Sequence, residues 1–156
     1  MDRPRASWLS GPEPADAGRA AGYPGQRLGL PPTGSRSLAG MGRRLAALLV
    51  DWLISDGLAG LGVAAGLLTT ATLSTAVLVV WFVLGVVAVR LFGFTPGQWA
   101  LGLAVVRLHN GNVMHVGVGR AAGRGLLIAL VIPPLFTDSD GRGLHDRITG
   151  TAVVRR

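Results

Sequence analysis

Two apolar runs joined by four uncharged residues constrain this chain more than any other feature. The first covers about residues 45–68 and reads LAALLVDWLISDGLAGLGVAAGLL. The second covers about residues 73–92 and reads LSTAVLVVWFVLGVVAVRLF. Each is long enough for a helix to cross roughly 30 Å of bilayer hydrocarbon. With only residues 69–72 between them, they must run antiparallel, so a transmembrane helical hairpin is the expected core. Composition agrees: 49% of the residues are hydrophobic and 15% charged, with a mean hydropathy of +0.47. A soluble domain carries about 25% charged residues. A cleaved secretory signal is the competing reading of the first run, since Arg43 and Arg44 precede it. The length of the run, Asp51 and Asp56 inside it, and the second run directly behind it all weigh against a signal.

The net charge is +7, and all 15 basic residues are arginine. A basic chain binds nucleic acid or sits beside an anionic membrane. Here the arginines flank apolar runs and form no stripe with interleaved aromatics, so the lipid bilayer is the expected partner and nucleic acid is not. Arg36, Arg43 and Arg44 precede the first run. Arg90 stands near the end of the second, Arg107, Arg120 and Arg124 follow it, and the connection has none. The positive-inside trend then puts both ends of the hairpin in the cytoplasm. Arginine-only, Ala/Gly-rich usage is associated with GC-rich bacterial genomes, which makes the bacterial plasma membrane the expected location. The absence of cysteine excludes disulfides, thiolate metal sites and cysteine nucleophiles.

Outside the hairpin the pattern changes. Residues 1–37 hold six of the nine prolines and no helical period, so a disordered cytoplasmic tail is expected, with residues 38–156 forming the membrane domain. A third apolar segment lies within about residues 120–136. Its apolar core, residues 125–136, is too short to cross and is stopped by Pro133 and Pro134, so it reads as an interfacial or re-entrant helix. Between these parts, residues 103–108 and 113–118 flank the Asn110-Gly111 turn signal and read as a β-hairpin. Residues 151–154 offer a third strand. The fold class is therefore a mainly α membrane protein with a small cytoplasmic β element.

Few residues are placed to carry chemistry. Arg44 and Asp51 share one helix face but lie about 10 Å apart along the axis. A carboxylate inside a span is costly, needs a partner, and by default marks a functional site; it equally suits a fold-fastening pair with a cytoplasmic arginine. Asp56 lies deeper and about 140° round the helix, where a lone carboxyl neutralises more cheaply than it ionises. Gly62 and Gly66 have the spacing that permits close helix approach. His109, His115 and His145 lack metal-ligand spacing, and Ser139, His145 and Asp146 are near only in sequence. Residues 93–98 resemble a phosphate loop but lack its lysine. No catalytic set, metal or cofactor is expected, and the chain does not read as an enzyme.

Four motifs in order carry a resemblance. Arg44-Leu-Ala-Ala-Leu-Leu-Val-Asp51 looks like the opening of the RDD family of bacterial membrane proteins, named for one arginine and two aspartates. Gly93-Phe-Thr-Pro-Gly-Gln-Trp-Ala-Leu-Gly-Leu-Ala-Val-Val106 resembles its G-x-T-x-G-K-x-x-x-G-L-x-V-V segment, with Gln98 standing where the family usually has lysine. Asn110-Gly111 and Arg124 match its turn and the arginine opening the third apolar run. Leu144-His-Asp146 through Val154 resembles its closing L-H-D-x-x-x-G-T-x-V-V, which makes Asp146 the second named aspartate. The resemblance implies a membrane protein in which transport of an unidentified ligand is suspected. It points to Arg44, Asp51 and Asp146 as primary functional residues and to Arg124 as a secondary one, and the depth of Asp56 in the span makes it another secondary candidate. Asp146 is expected to pair with Arg44 or Arg124. Two helices cannot enclose a pathway, so transport of an ion, proton or small ligand calls for a homo-oligomer or a larger membrane partner. The alternative is a non-transporting scaffold that assembles a larger membrane complex.

Overall fold

The computed structural model describes residues 22–109, 112–114, 116–130 and 142–156. Its longest elements are α1, Met41–Ala64, and α2, Leu73–Phe92, which pack side by side. α1 ends where Gly66 takes a φ of 73° and the Gly62 carbonyl accepts the Leu67 and Leu68 N–H groups at 2.9 and 3.2 Å. A left-handed residue with bonds back into the last turn is a C-terminal cap, and glycine adopts it without a Cβ penalty. Gly62 and Gly66 thus close the helix end, and a 3-10 turn at Thr70–Thr72 leads into α2.

Along α1 the buried positions Ala47, Asp51, Ser55 and Ala59 recur every four residues and form one stripe. The opposite side is bare, with Leu49 and Leu53 both 60% exposed. α2 buries only Val77, Ala88 and Val89. Both helices are long and apolar enough to cross a membrane. Apolar sides of this extent are unfavourable in water and favourable in hydrocarbon.

The remaining elements gather at the Met41 end of α1 and the Phe92 end of α2. They are α3, Pro96–Ala100; β1, Leu103–His109; β2, Asn112–Met114; α4, Val118–Ala129; α5, Leu144–Thr149; and β3, Thr151–Arg155. The strands form an antiparallel sheet in the order β2-β1-β3, with Val105 opposite Val153. The chain just before α1 extends this sheet beyond β3. The Arg36 N–H donates to the Arg155 carbonyl at 2.8 Å, and the Ala39 N–H to the Val153 carbonyl at 2.9 Å. Period-2 alternation then divides the strands. Leu103 and Val153 pack with Ala39 and Ala47, and Val105 packs with Val89, Val116 and Ala121. Ala152 and Val154 face the other way, beneath Leu30 and Leu38.

The expected β-hairpin and third strand are present, with two differences. The second strand stops at Met114 instead of reaching residue 118, because Val116 is drawn into the helix-facing core and Gly117 caps α4. The ordered chain also begins before residue 38. Residues 22–37, expected within the disordered tail, lie over the sheet, where Leu30 is only 5% exposed; one buried leucine and a strand-like edge outweigh the proline-rich composition. α4 has 12 residues, about 18 Å, which is short of a crossing. Residues 1–21, the Asn110-Gly111 turn and residues 131–141 lie outside the described residues.

Candidate functional site

The polar residues of the helical layer converge where α1, α2, α3 and α4 meet. Thr95 and Pro96 begin α3 as an N-cap followed by a proline in the first turn, an arrangement that suits a helix start. The box is reciprocal: the Gln98 N–H donates to Thr95 Oγ1 at 3.2 Å, and the Thr95 N–H donates to Gln98 Oε1 at 3.0 Å. This start is fastened to α1. The Thr95 hydroxyl donates to Asp51 Oδ2, and the Gly97 N–H donates to Asp51 Oδ1 at 2.7 Å. Asp51, 4% exposed, therefore supplies negative charge to the one N–H of this helix start, that of Gly97, that neither Thr95 nor the helix itself takes up. The approach is so close that a Cβ on Gly97 would sit 2.2 Å from the Ala47 carbonyl oxygen.

A second cluster surrounds Asp146, whose side chain is fully buried. Arg44 Nη1 lies 3.3 Å from its Oδ2, and Arg124 Nη1 contacts its Oδ1. The Thr151 hydroxyl donates to Oδ1 at 3.1 Å, and His145 Nε2 stands 3.5 Å away. Asp146 thus joins α1, α4, α5 and the start of β3. Charges this deep persist because each carboxylate oxygen has cationic and hydrogen-bonding partners. Burial and the neighbouring Arg44 charge pull the Arg124 guanidinium down to about 9.

Two small cavities lie against the clusters. One, of about 40 Å³, lies between α1, α2 and α4 and has Asp51, Thr95, Gln98 and Arg124 among otherwise mainly apolar walls. The other, of about 20 Å³, has Arg44, Gln98, Arg124 and His145 in its walls. Gln98 and Arg124 line both. Each volume admits water, which needs about 10–15 Å³.

Arg44, Asp51, Arg124 and Asp146 are therefore gathered in one polar region. Arg44 and Asp51 share a buried face, as their spacing predicts, yet belong to different networks. Asp146 takes both arginines rather than one. Asp56 is apart, exposed on the far side of α1. The residues that sequence reasoning passed over are Thr95 and Gly97. The signal was present: Thr-Pro-x-Gln is a capping box with proline in the first turn, and it was read as a faint phosphate loop. Thr151 and His145 were also missed. Their contribution depends on α5 turning directly into β3, which residue spacing does not reveal. His109 lies in β1, and His115 and Ser139 lie outside the described residues.

A family model described as the RDD family matches residues 38–150. No curated protein and no solved structure matches the chain. The match covers well over half of the sequence, so the chain belongs to the RDD family, and that membership together with two long apolar helices fits a membrane protein.

Proposed function

We propose that this member of the RDD family is a bacterial plasma-membrane transport protein that passes a small ion or a proton, as a homo-oligomer or with a larger membrane partner. The observation that carries the reading is the cavity of about 40 Å³ walled by both Asp51 and Arg124. An ionisable side chain inside a candidate membrane span, here Asp51, is expensive to keep and is by default functional. The volume suits a small ion or one to about three waters, which argues against an organic solute. Asp51 is the ionisable ligand or relay, Arg124 and Arg44 set the field around it, and no catalytic step is assigned. The oligomer or partner is required because one hairpin encloses no pathway.

The proposed topology follows from the sheet. The pairing of the strand-like segment before α1 with β3 supports placing both ends of the hairpin on one side, and the arginine distribution favours the cytoplasm for that side. A scaffold role is the second reading. It is favoured by the way Asp51 fastens α3 and Asp146 fastens α1, α4 and α5, since both networks also serve stability alone. Ion or proton flux into proteoliposomes of the purified protein separates the two. Flux above that of empty vesicles supports transport, and its absence under every imposed gradient supports the scaffold.

A further inference from the structure

The sheet face turned away from the helices carries a cavity outside the polar region. It measures about 200 Å³ and lies between the sheet and the segment before α1. That is short of the roughly 300–1,000 Å³ of a drug-sized pocket, so it suits a smaller ligand. Val106 and Val154 give it an apolar floor and Leu30 an apolar side, while Arg36, Arg155 and Arg156 line it with no acidic residue among its walls. Arg36 and Arg155 have no ion-pair partner among the described residues, and Arg155 Nε is buried without a hydrogen-bond partner. The two are neighbours, since the Arg36 N–H donates to the Arg155 carbonyl at 2.8 Å. Like charges on adjoining strands repel, and a buried donor without an acceptor is costly. The backbone adds an independent observation. Arg36 has a φ of 65° and is the one non-glycine residue with a positive φ among those described. The left-handed positions that precede it, at 25, 29 and 34, are all glycine, which takes that conformation without strain. An arginine there is held against a steric penalty at its Cβ, and strain of this kind gathers at ligand sites.

We infer that this cavity binds an anionic phosphate ester, its phosphate taken by Arg36, Arg155 and Arg156 and its organic portion lying over Val106 and Val154. Guanidinium forks match phosphate oxygens in pairs. The Arg156 guanidinium carbon stands 4.7 Å over the Phe94 ring, and Phe94 stacks on Phe92, the last residue of α2, with 6.0 Å between centroids. The arginine end of the cavity is thereby tied to the end of a helix long and apolar enough to cross a membrane. Lipid phosphates lie at that level, where basic pockets take anionic headgroups. A phospholipid headgroup and a soluble phosphate ester share this chemistry, and the experiment separates them. The inference is independent of the transport reading, since its readout is binding and not flux.

The test titrates the full-length protein, in a non-ionic detergent, with phosphatidylglycerol, phosphatidylcholine and glycerol 1-phosphate by calorimetry. Phosphatidylglycerol is expected to saturate one site and to bind about tenfold more tightly than the net-neutral phosphatidylcholine, the equivalent of one charge-assisted hydrogen bond. Glycerol 1-phosphate binding as tightly as phosphatidylglycerol upholds the site with a soluble ester as its occupant; glycerol 1-phosphate binding weakly upholds it with a lipid. Arg36→Gly is the discriminating variant, because it removes the side chain and relieves the backbone at once. It should weaken binding about tenfold while the thermal unfolding midpoint stays level or rises. Arg43→Gln, exposed in the first turn of α1 and outside the cavity, should bind as wild type does. Three results overturn the inference: no saturable binding of any of the three probes, equal affinity for the two lipids, or undiminished binding by Arg36→Gly. An equal loss in Arg43→Gln also overturns it, since that would be the unspecific attraction of a basic chain for anions.

Discussion

Asp51 and Gly97, 46 positions apart in the chain, meet at 2.7 Å between a carboxylate oxygen and a backbone N–H. The contact sets the distance between α1 and α3, and it exists only because residue 97 has no side chain. Gln98, the next residue of α3, lines the Asp51 cavity together with Arg124.

Gly97→Ala is therefore predicted to push α3 away from α1. The added methyl would sit 2.2 Å from the Ala47 carbonyl oxygen and 3.0 Å from Asp51 Cγ, and neither backbone nor carboxylate has room to retreat. Overpacking of this kind costs about 1–3 kcal/mol. Thermal unfolding in mild detergent should show a lower midpoint for Gly97→Ala and little change for Gly42→Ala, which meets open space. Equal midpoints would contradict the packing described.

Thr95 should be replaceable by serine and not by valine. Its hydroxyl caps α3 and donates to Asp51. Valine keeps the shape but removes both bonds. Loss of an N-cap costs about 0.5–2 kcal/mol, and the Asp51 oxygen left without its donor adds a further 1–3 kcal/mol. Denaturation of Thr95→Val and Thr95→Ser in detergent checks this; a valine variant as stable as serine would show that the bond to Asp51 contributes nothing.

Much of this was legible before the structure. The hairpin, the β element, the short third helix and the Asp146–arginine pairing all rest on patterns that sequence carries: apolar length, period-2 alternation, proline stops and uncompensated charge. The role of Asp51 was half legible. Its depth marked it as needing a partner, but the partners are a hydroxyl and a backbone N–H on a five-residue helix, and backbone donors leave no charge signature to search for. The fold of residues 22–37 was hidden for a similar reason. Leu30 is one apolar side chain among prolines, and only the sheet supplies the surface that makes burying it worthwhile.

Asp146 should behave as the hub of a single network. Asp146→Asn leaves Arg44 and Arg124 buried without their carboxylate, a change worth roughly 3–5 kcal/mol. Arg44→Gln alone should also destabilise, yet combining it with Asp146→Asn should cost clearly less than the sum, since both remove the same ion pair. A double-mutant cycle on detergent-solubilised protein measures this, and strictly additive losses would show that the two residues do not interact.

Topology is testable at the two extremes of the domain. Arg156 follows β3, whose partners precede α1 and follow α2, and Thr70 lies in the connection between the helices. Reporter fusions at Arg156 should report the cytoplasm and those at Thr70 the exterior. An exported fusion at Arg156 would overturn the two-crossing arrangement.

The central claim is that Asp51 works through its charge and does not only fasten α3. Asparagine keeps the shape, still accepts the Gly97 N–H, and can meet the Thr95 hydroxyl with its amide, so folding should change by no more than about 1 kcal/mol. It cannot ionise. The decisive measurement is ion or proton flux into proteoliposomes containing wild type, Asp51→Asn or Asp51→Glu at matched protein density, with unfolding midpoints recorded on the same preparations. Flux lost in Asp51→Asn, partly retained in Asp51→Glu, and near-wild-type stability in both are the predicted results. Full flux in Asp51→Asn would contradict the account and leave Asp51 as a structural fastening.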